Sequence, residues 1–271
     1  MHKNRVNQVI FINSLFYFLC AYLILFLISR ISVAISASAF SIPVRLYYHE
    51  IDYLIRSSEW SSDSVTVIFG TGPLLCLLLG LVLLLIFINV ATEEGRLRIL
   101  LVWLIILALV NFFGEIIIGS VMNQGFGYVI MYMFIMDTGR VVVTLLGGIL
   151  LFLCGLALSK TLLFTANIYL PHLKGIEKIR FVIYQYFFPY LAGILILQVI
   201  ELPVISWFPT LVRLCGILFL IPVLSRSLSL QDVYFEEETP EFSISWKTGA
   251  LALALLLIYR IGFGIGLKFD L

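Results

Sequence analysis

The stretch VTVIFGTGPLLCLLLGLVLLLIFINV, from Val65 to Val90, decides the fold class of this chain. It contains no aspartate, glutamate, lysine or arginine. An α-helix needs about 20 mostly apolar residues to cross the hydrocarbon core of a bilayer, and this stretch is longer than that. It therefore predicts a membrane-spanning helix.

Six further windows have a comparable length and apolar character: Val9–Ile28, Ile99–Ile118, Val141–Leu162, Phe181–Ile200, Ile205–Leu224 and Gly249–Leu267. The first of them follows Lys3 and Arg5, as a signal peptide would. It is longer than the apolar core of a signal peptide, about 7–15 residues, so we interpret it as a retained helix. A tight turn is expected at Glu201-Leu202-Pro203-Val204, because proline disfavours helix just before it.

The composition agrees with a membrane protein. Hydrophobic residues make up 62% of the 271 residues and charged residues 12%, whereas soluble domains average about 45–50% and about 25%. The net charge of +1 and the lack of a basic tract argue against a nucleic-acid partner. We expect an all-α, polytopic bundle of about seven transmembrane helices, a single integral membrane domain over residues 1–271, surrounded by membrane lipids.

The distribution of lysine and arginine sets the expected orientation, since cytoplasmic loops carry the excess of positive charge. The amino-terminal side has the larger number of these residues, which places the N-terminus in the cytoplasm and the C-terminus outside, in a plasma membrane such as the bacterial inner membrane. The acidic segment 225–247 is then a cytoplasmic loop. It is either a docking loop for a basic partner or, as we favour, simply solvated.

Two segments, 31–63 and 122–137, match no window cleanly. Each is expected to lie at the membrane interface or to re-enter the bilayer. Irregular backbone at membrane depth persists only where it is buried in protein or lines a water-filled cavity. If either segment enters the membrane, we expect it to line a functional cavity.

Three charged residues fall inside predicted membrane helices: Glu115, Arg213 and Arg260. A charge at the centre of a bilayer costs about 2.5–3.5 kcal/mol on insertion scales, so such residues usually find a partner. Glu115 and Asp137 are the expected partners of the two arginines. The alternatives are a buried ion pair that fixes helix packing, an arginine that reaches a headgroup, or a site for an anionic substrate or a lipid headgroup.

Three short strings occur in a suggestive order. The first is His49-Glu50-Ile51-Asp52-Tyr53, whose first and last residues would share a face of a helix. The second, Gly70-Thr71-Gly72-Pro73, lies early in a predicted membrane helix, and the third, Met136-Asp137-Thr138-Gly139, precedes another. Together they resemble the motifs of the site-2 protease family of intramembrane zinc metalloproteases, over about residues 45–150.

The resemblance implies that His49 and Asp137 bind zinc and that Glu50 is the catalytic base. Tyr53 stands where the family has its second histidine, and a phenol is a poor zinc ligand. Because a catalytic zinc normally has three protein ligands, the substitution favours an inactive relative. We therefore expect no cofactor, and zinc is the alternative that the resemblance implies.

These observations support three hypotheses for the function. The first is a non-catalytic subunit or scaffold of a membrane complex, with other transmembrane proteins as partners and a degenerate protease-like fold. The second is an active intramembrane zinc metalloprotease. The third is a transporter or lipid-handling protein built around Glu115, Arg213 and Arg260. Whether the chain is an enzyme stays open at this point, and the three are ranked in this order.

Overall fold

The computed structural model describes residues 2–90, 95–133, 135–235 and 243–269. Its α-helices are α1 (His2–Ser38), α2 (Ser62–Val90), α3 (Gly95–Met122), α4 (Phe126–Tyr132), α5 (Asp137–Phe164), α6 (Ile176–Val182), α7 (Phe188–Glu201), α8 (Trp207–Leu214), α9 (Gly216–Ser229), α10 (Trp246–Leu257) and α11 (Phe263–Ile265). Two π-helical segments, Ile183–Phe187 and Ile258–Gly262, join α6 to α7 and α10 to α11. Short 3-10 segments cover Ser57–Glu59 and Thr165–Ile168.

Seven helical segments of the described chain are long and apolar enough to cross a membrane. They are α1, α2, α3, α5, the α6–α7 unit, the α8–α9 unit and the α10–α11 unit. Each contains most of one of the seven windows found in the sequence. The prediction of an all-α, multi-pass membrane protein is therefore confirmed.

Five very short strands of the described chain lie at the two ends of the bundle. At one end β1 (Val44–Leu46) pairs antiparallel with β2 (Ile51–Tyr53) and with β5 (Leu267–Phe269). We call this the hairpin end. At the opposite end β3 (His172–Leu173) pairs antiparallel with β4 (Val233–Tyr234). β5 follows the last helix and α1 runs towards the hairpin, so the two termini lie at opposite ends of the bundle. Which of the two ends faces the cytoplasm stays a prediction.

Helix α3 lies at the centre of the bundle. It packs against α1, α2, α5, α4 and α8, and its Trp103 is completely buried. By contrast, α2 and α5 expose large apolar side chains on their outer faces, including Leu85 and Leu145. Apolar helix faces of this kind are stable in contact with lipid, which matches the composition of the chain.

The two segments that matched no window do not cross the bundle. Residues 31–63 comprise the last turns of α1, the β1–β2 hairpin and a 3-10 turn. Residues 122–137 contain the seven-residue helix α4, which folds back against α3. This contact is so close that a Cβ added to Gly127 would lie 1.9 Å from the carbonyl oxygen of Gly119.

Two boundaries differ from the sequence-based expectation. Glu201 is the last residue of α7 and is buried, rather than the first residue of a turn, and the turn itself contains a cis peptide bond between Leu202 and Pro203. The expected loop 225–247 is shorter, because α9 continues to Ser229. Four of its acidic residues, Glu236, Glu237, Glu238 and Glu241, lie outside the described residues.

Candidate functional site

A cavity of about 780 Å³ lies in the hairpin-end half of the bundle. Its walls come from α1, α2, α3, α7 and α8. The hairpin and the 3-10 turn contribute residues 48–53 and Ser57, and α4 with its preceding turn contributes Gln124, Gly125, Tyr128, Met131 and Tyr132. Both of the segments that matched no membrane window therefore line this one cavity, as irregular backbone near membrane depth is expected to do.

Arg30 lies on the α1 wall of the cavity, eight residues before the helix ends. Its guanidinium carbon is 5.1 Å from the centroid of the Phe26 ring. Within the described part of the chain, its side chain forms no hydrogen bond or ion pair. Arg30 was not among the residues predicted from the sequence, because the predicted window ended at Ile28. The continued apolar run after Arg30 was the signal that α1 extends further.

Glu115 reaches the cavity from α3. Its Oε2 atom accepts a hydrogen bond from the backbone N–H of Phe126, 3.2 Å away, at the first residue of α4. No ion pair joins Glu115 to an arginine among the described residues. The Glu115 carboxyl group thus holds α4 against α3. The rest of its side chain faces the cavity.

Arg213 has a different partner from those expected. Its Nη2 and Nη1 atoms lie 2.5 Å and 3.1 Å from the two carboxylate oxygens of Glu201. Glu201 also accepts a hydrogen bond from the Tyr259 hydroxyl at 2.6 Å. The guanidinium lies 5.1 Å from the Tyr22 ring centroid, and its buried Nε atom has no partner among the described residues. Glu201, and not Glu115 or Asp137, therefore neutralises Arg213.

Arg260 lies outside the set of residues that line the cavity. Its Nη2 atom donates to the carbonyl oxygen of Leu202 at 2.8 Å, and its guanidinium stacks 4.9 Å from the Tyr48 ring centroid. The three charged residues predicted from the sequence are thus not brought together. Glu115 and Arg213 face the cavity, while Arg260 ties the last membrane segment to the turn after α7.

The string His49–Tyr53 forms part of the hairpin and not a helix, because residues 51–53 are strand β2 and His49 lies in the turn before it. His49 Nε2 is 3.3 Å from Glu50 Oε1, and the buried His49 Nδ1 has no partner among the described residues. Tyr53 packs against Trp60, and burial raises the pKa of its phenol. The side chains of His49, Glu50, Tyr53 and Trp60 all line the cavity.

Asp137 does not join His49 in this cavity. It is the first residue of α5, its side chain is 99% exposed, and it lies 3.4 Å from Arg140 of the same helix. In the ranges that the structure covers, no three histidine, cysteine, aspartate or glutamate side chains are grouped as metal ligands. The residues that the protease resemblance implies as zinc ligands do not fit a shared metal site in this arrangement.

The cavity combines aromatic surface with buried polar atoms that lack protein partners. Asn111 Oδ1, His49 Nδ1 and Arg213 Nε are all buried without a hydrogen bond to a described residue, and all three residues line it. A buried polar atom without a partner costs about 1–3 kcal/mol. Water or a bound ligand inside the cavity would satisfy these atoms, so the arrangement is suited to binding a polar group.

No protein-family model, curated protein or solved structure matches the chain.

Proposed function

We propose that this multi-pass membrane protein binds a small amphiphilic ligand in the cavity at the hairpin end, as a transporter or a lipid-handling protein does. The observation that carries the proposal is the cavity itself. Its volume of about 780 Å³ falls within the range of about 300–1,000 Å³ that is usual for small-molecule sites. Such sites are mostly apolar and contain a few well-placed polar groups.

The lining of this cavity combines aromatic rings with polar and charged groups. Tyr53, Trp60, Phe69 and Tyr128 form one aromatic cluster, in which neighbouring ring centroids lie 4.9–5.5 Å apart. The same cavity is also lined by Asn111 and by the charged residues Arg30, Glu115 and Arg213. A ligand with an apolar body and a polar group would satisfy both kinds of surface.

The other two hypotheses have less support. The protease hypothesis requires His49 and Asp137 to hold one metal ion, but the exposed Asp137 does not line the cavity that His49 lines. The hypothesis of a non-catalytic complex subunit rests on the absence of a catalytic set, and no described surface identifies a partner. The polar, aromatic cavity therefore favours a ligand-binding role.

The test uses Trp60, because this residue lines the cavity and bromine atoms quench tryptophan fluorescence at short range. The purified protein in an uncharged detergent is titrated with a dibrominated fatty acid and with its methyl ester. We expect saturable quenching that the Trp60→Phe variant lacks and that the unbrominated compound reverses. Equal quenching of the wild type and of Trp60→Phe with both probes would remove the proposal.

A further inference from the structure

We propose that Arg30 binds the anionic head group, carboxylate or phosphate, of the amphiphile that occupies the cavity. This inference rests on the proposed function and names the chemical class of its ligand. It assigns a binding role to a residue on α1 whose guanidinium forms no hydrogen bond or ion pair with a described residue.

The position of Arg30 makes its unpaired charge unusual. It lies eight residues before the end of α1, which corresponds to about 12 Å along a helix axis, within a segment that is apolar enough to cross a membrane. Charged residues at such depth almost always face the interior of the bundle and pair with another group. Arg30 does face the interior, but no described side chain lies within hydrogen-bond or ion-pair distance of it. The missing partner is what an anionic ligand would supply.

The second arginine of the cavity is not equivalent. Arg213 is bonded through two nitrogens to Glu201, so its charge is already compensated. Arg30 instead stacks on Phe26 and leaves its N–H groups free of described partners. A guanidinium has five N–H donors in a planar fork that matches carboxylate and phosphate geometry. Of the two, Arg30 is therefore the arginine that can accept an anion.

The apolar part of the ligand has a surface beside Arg30. Tyr53 and Arg30 both line the cavity. The Tyr53 ring in turn contacts Trp60 and Phe69. An anion held at Arg30 would place an attached hydrocarbon body against these rings. Glu50 and Asp52, at the exposed rim, disfavour an anion there and leave Arg30 as the preferred position.

Glu115 supplies the competing explanation for the unpaired charge. It faces the same cavity, and a water molecule bridging Glu115 and Arg30 would make the two residues a purely structural pair. In that case the two substitutions Arg30→Gln and Glu115→Gln would have similar effects. If Arg30 binds an anion, the effects have opposite signs, because removal of a nearby carboxylate favours a bound anion.

The experiment repeats the Trp60 quenching titration with head groups that differ only in charge. One arm compares the dibrominated fatty acid with its methyl ester, and the other compares dibrominated phosphatidic acid with the matching diacylglycerol. In Arg30→Gln we expect the affinity for the anion to fall by at least about tenfold in one arm, with little change for the neutral probe. The arm that shows the effect identifies a carboxylate or a phosphate as the ligand group.

Three further variants make the outcome decisive. Arg30→Lys should keep the preference for the anion, and Glu115→Gln should strengthen it. Arg226→Gln, a matched loss of charge at the opposite end, should leave the preference unchanged. The assignment of Arg30 would be overturned if Arg30→Gln lost the same affinity for the anionic and the neutral probes. It would also be overturned if Glu115→Gln lost as much affinity for the anionic probe as Arg30→Gln. Binding of neither probe near Trp60 in the wild type would instead remove the proposed function.

Discussion

Arg213 on α8 and Glu201 at the end of α7 form a buried, two-point ion pair, with Nη2 2.5 Å from Oε1 and Nη1 3.1 Å from Oε2. Tyr259 donates its hydroxyl to the same carboxylate, and the hydroxyl of Tyr48 in the hairpin donates to the Glu201 carbonyl oxygen at 3.2 Å. The pair therefore connects α7 and α8 to the last membrane segment and to the hairpin that covers the cavity.

This ion pair should be important for stability. In Arg213→Met the Glu201 carboxylate, 1% exposed, loses its cation, and we expect the free energy of unfolding to fall by about 3–5 kcal/mol. Thermal unfolding in detergent, followed by intrinsic fluorescence, measures the change. Arg226→Met is the control, because that arginine is exposed and its loss should cost about 0.5 kcal/mol or less. Similar losses in both variants would contradict the prediction.

The double variant Glu201→Leu/Arg213→Met distinguishes two causes of lost stability. One is the burial of a lone charge, and the other is the loss of the ion pair itself. Removing both members leaves apolar side chains in the same volume, which is often neutral or stabilising. We therefore expect the double variant to be more stable than Arg213→Met alone. A double variant as unstable as Arg213→Met alone would instead show that loss of the pair, and not burial of a lone charge, lowers the stability.

Asn111→Leu should stabilise the empty protein, because Asn111 Oδ1 is buried without a partner among the described residues. We expect a gain of about 1–3 kcal/mol, the usual cost of an unsatisfied buried group. Asn13→Leu is the contrasting variant, since Asn13 bonds to Ser243 and Ser245 and its loss should destabilise. If water already satisfies Asn111, its replacement will destabilise as well, and thermal unfolding of both variants distinguishes these cases.

The number of membrane helices could be predicted from the sequence because bilayer thickness imposes a minimum length on each apolar run. Window ends were less accurate. Helix α1 continues to Ser38, ten residues beyond the predicted end at Ile28. The hairpin could not be predicted from local sequence, because strand β1 also pairs with β5 near the other end of the chain, at Leu267–Phe269. Such short strands form only when the bundle brings their ends together.

The candidate site was predicted only in part. Glu115 and Arg213 were identified from the cost of charge inside a membrane helix, and both line the cavity. Glu201 was missed as the partner of Arg213, because its place before Leu202 and Pro203 is typical of a turn. Which carboxylate meets which arginine depends on how α7 and α8 cross, and no sequence spacing encodes that crossing.

The zinc site implied by the protease resemblance can be tested by metal analysis. Because the Asp137 side chain is exposed and lies beside Arg140, we expect His49→Ala and Asp137→Ala to leave the zinc content of the purified protein unchanged. The control is His172→Ala, since His172 is exposed and belongs to β3 at the opposite end. One zinc per chain in the wild type, lost in both His49→Ala and Asp137→Ala, would instead support the metalloprotease.

The contact between Asp232 and Lys178 should make stability depend on pH. Lys178 Nζ, on a buried side chain, is 2.9 Å from Asp232 Oδ1, which also accepts the N–H of Gly175 at 3.2 Å. The hydrogen bond from Lys178, helped by that from Gly175, lowers the pKa of the Asp232 carboxyl. A carboxyl whose pKa is lower in the folded state stabilises the fold above its unfolded pKa, about 3.9, and loses this contribution as pH falls through the folded value.

Asp232→Asn should therefore lower the midpoint temperature of unfolding at pH 7, and the difference from the wild type should shrink steadily below about pH 4, near the ordinary aspartate pKa. Protonation of Asp232 in the wild type then removes the same charge that the substitution removes. Asp63→Asn is the matched control, because the Asp63 side chain bonds to no described residue. A difference between wild type and Asp232→Asn that stays constant from pH 7 to the acid limit of the folded state would mean that the Lys178 contact does not contribute through its charge.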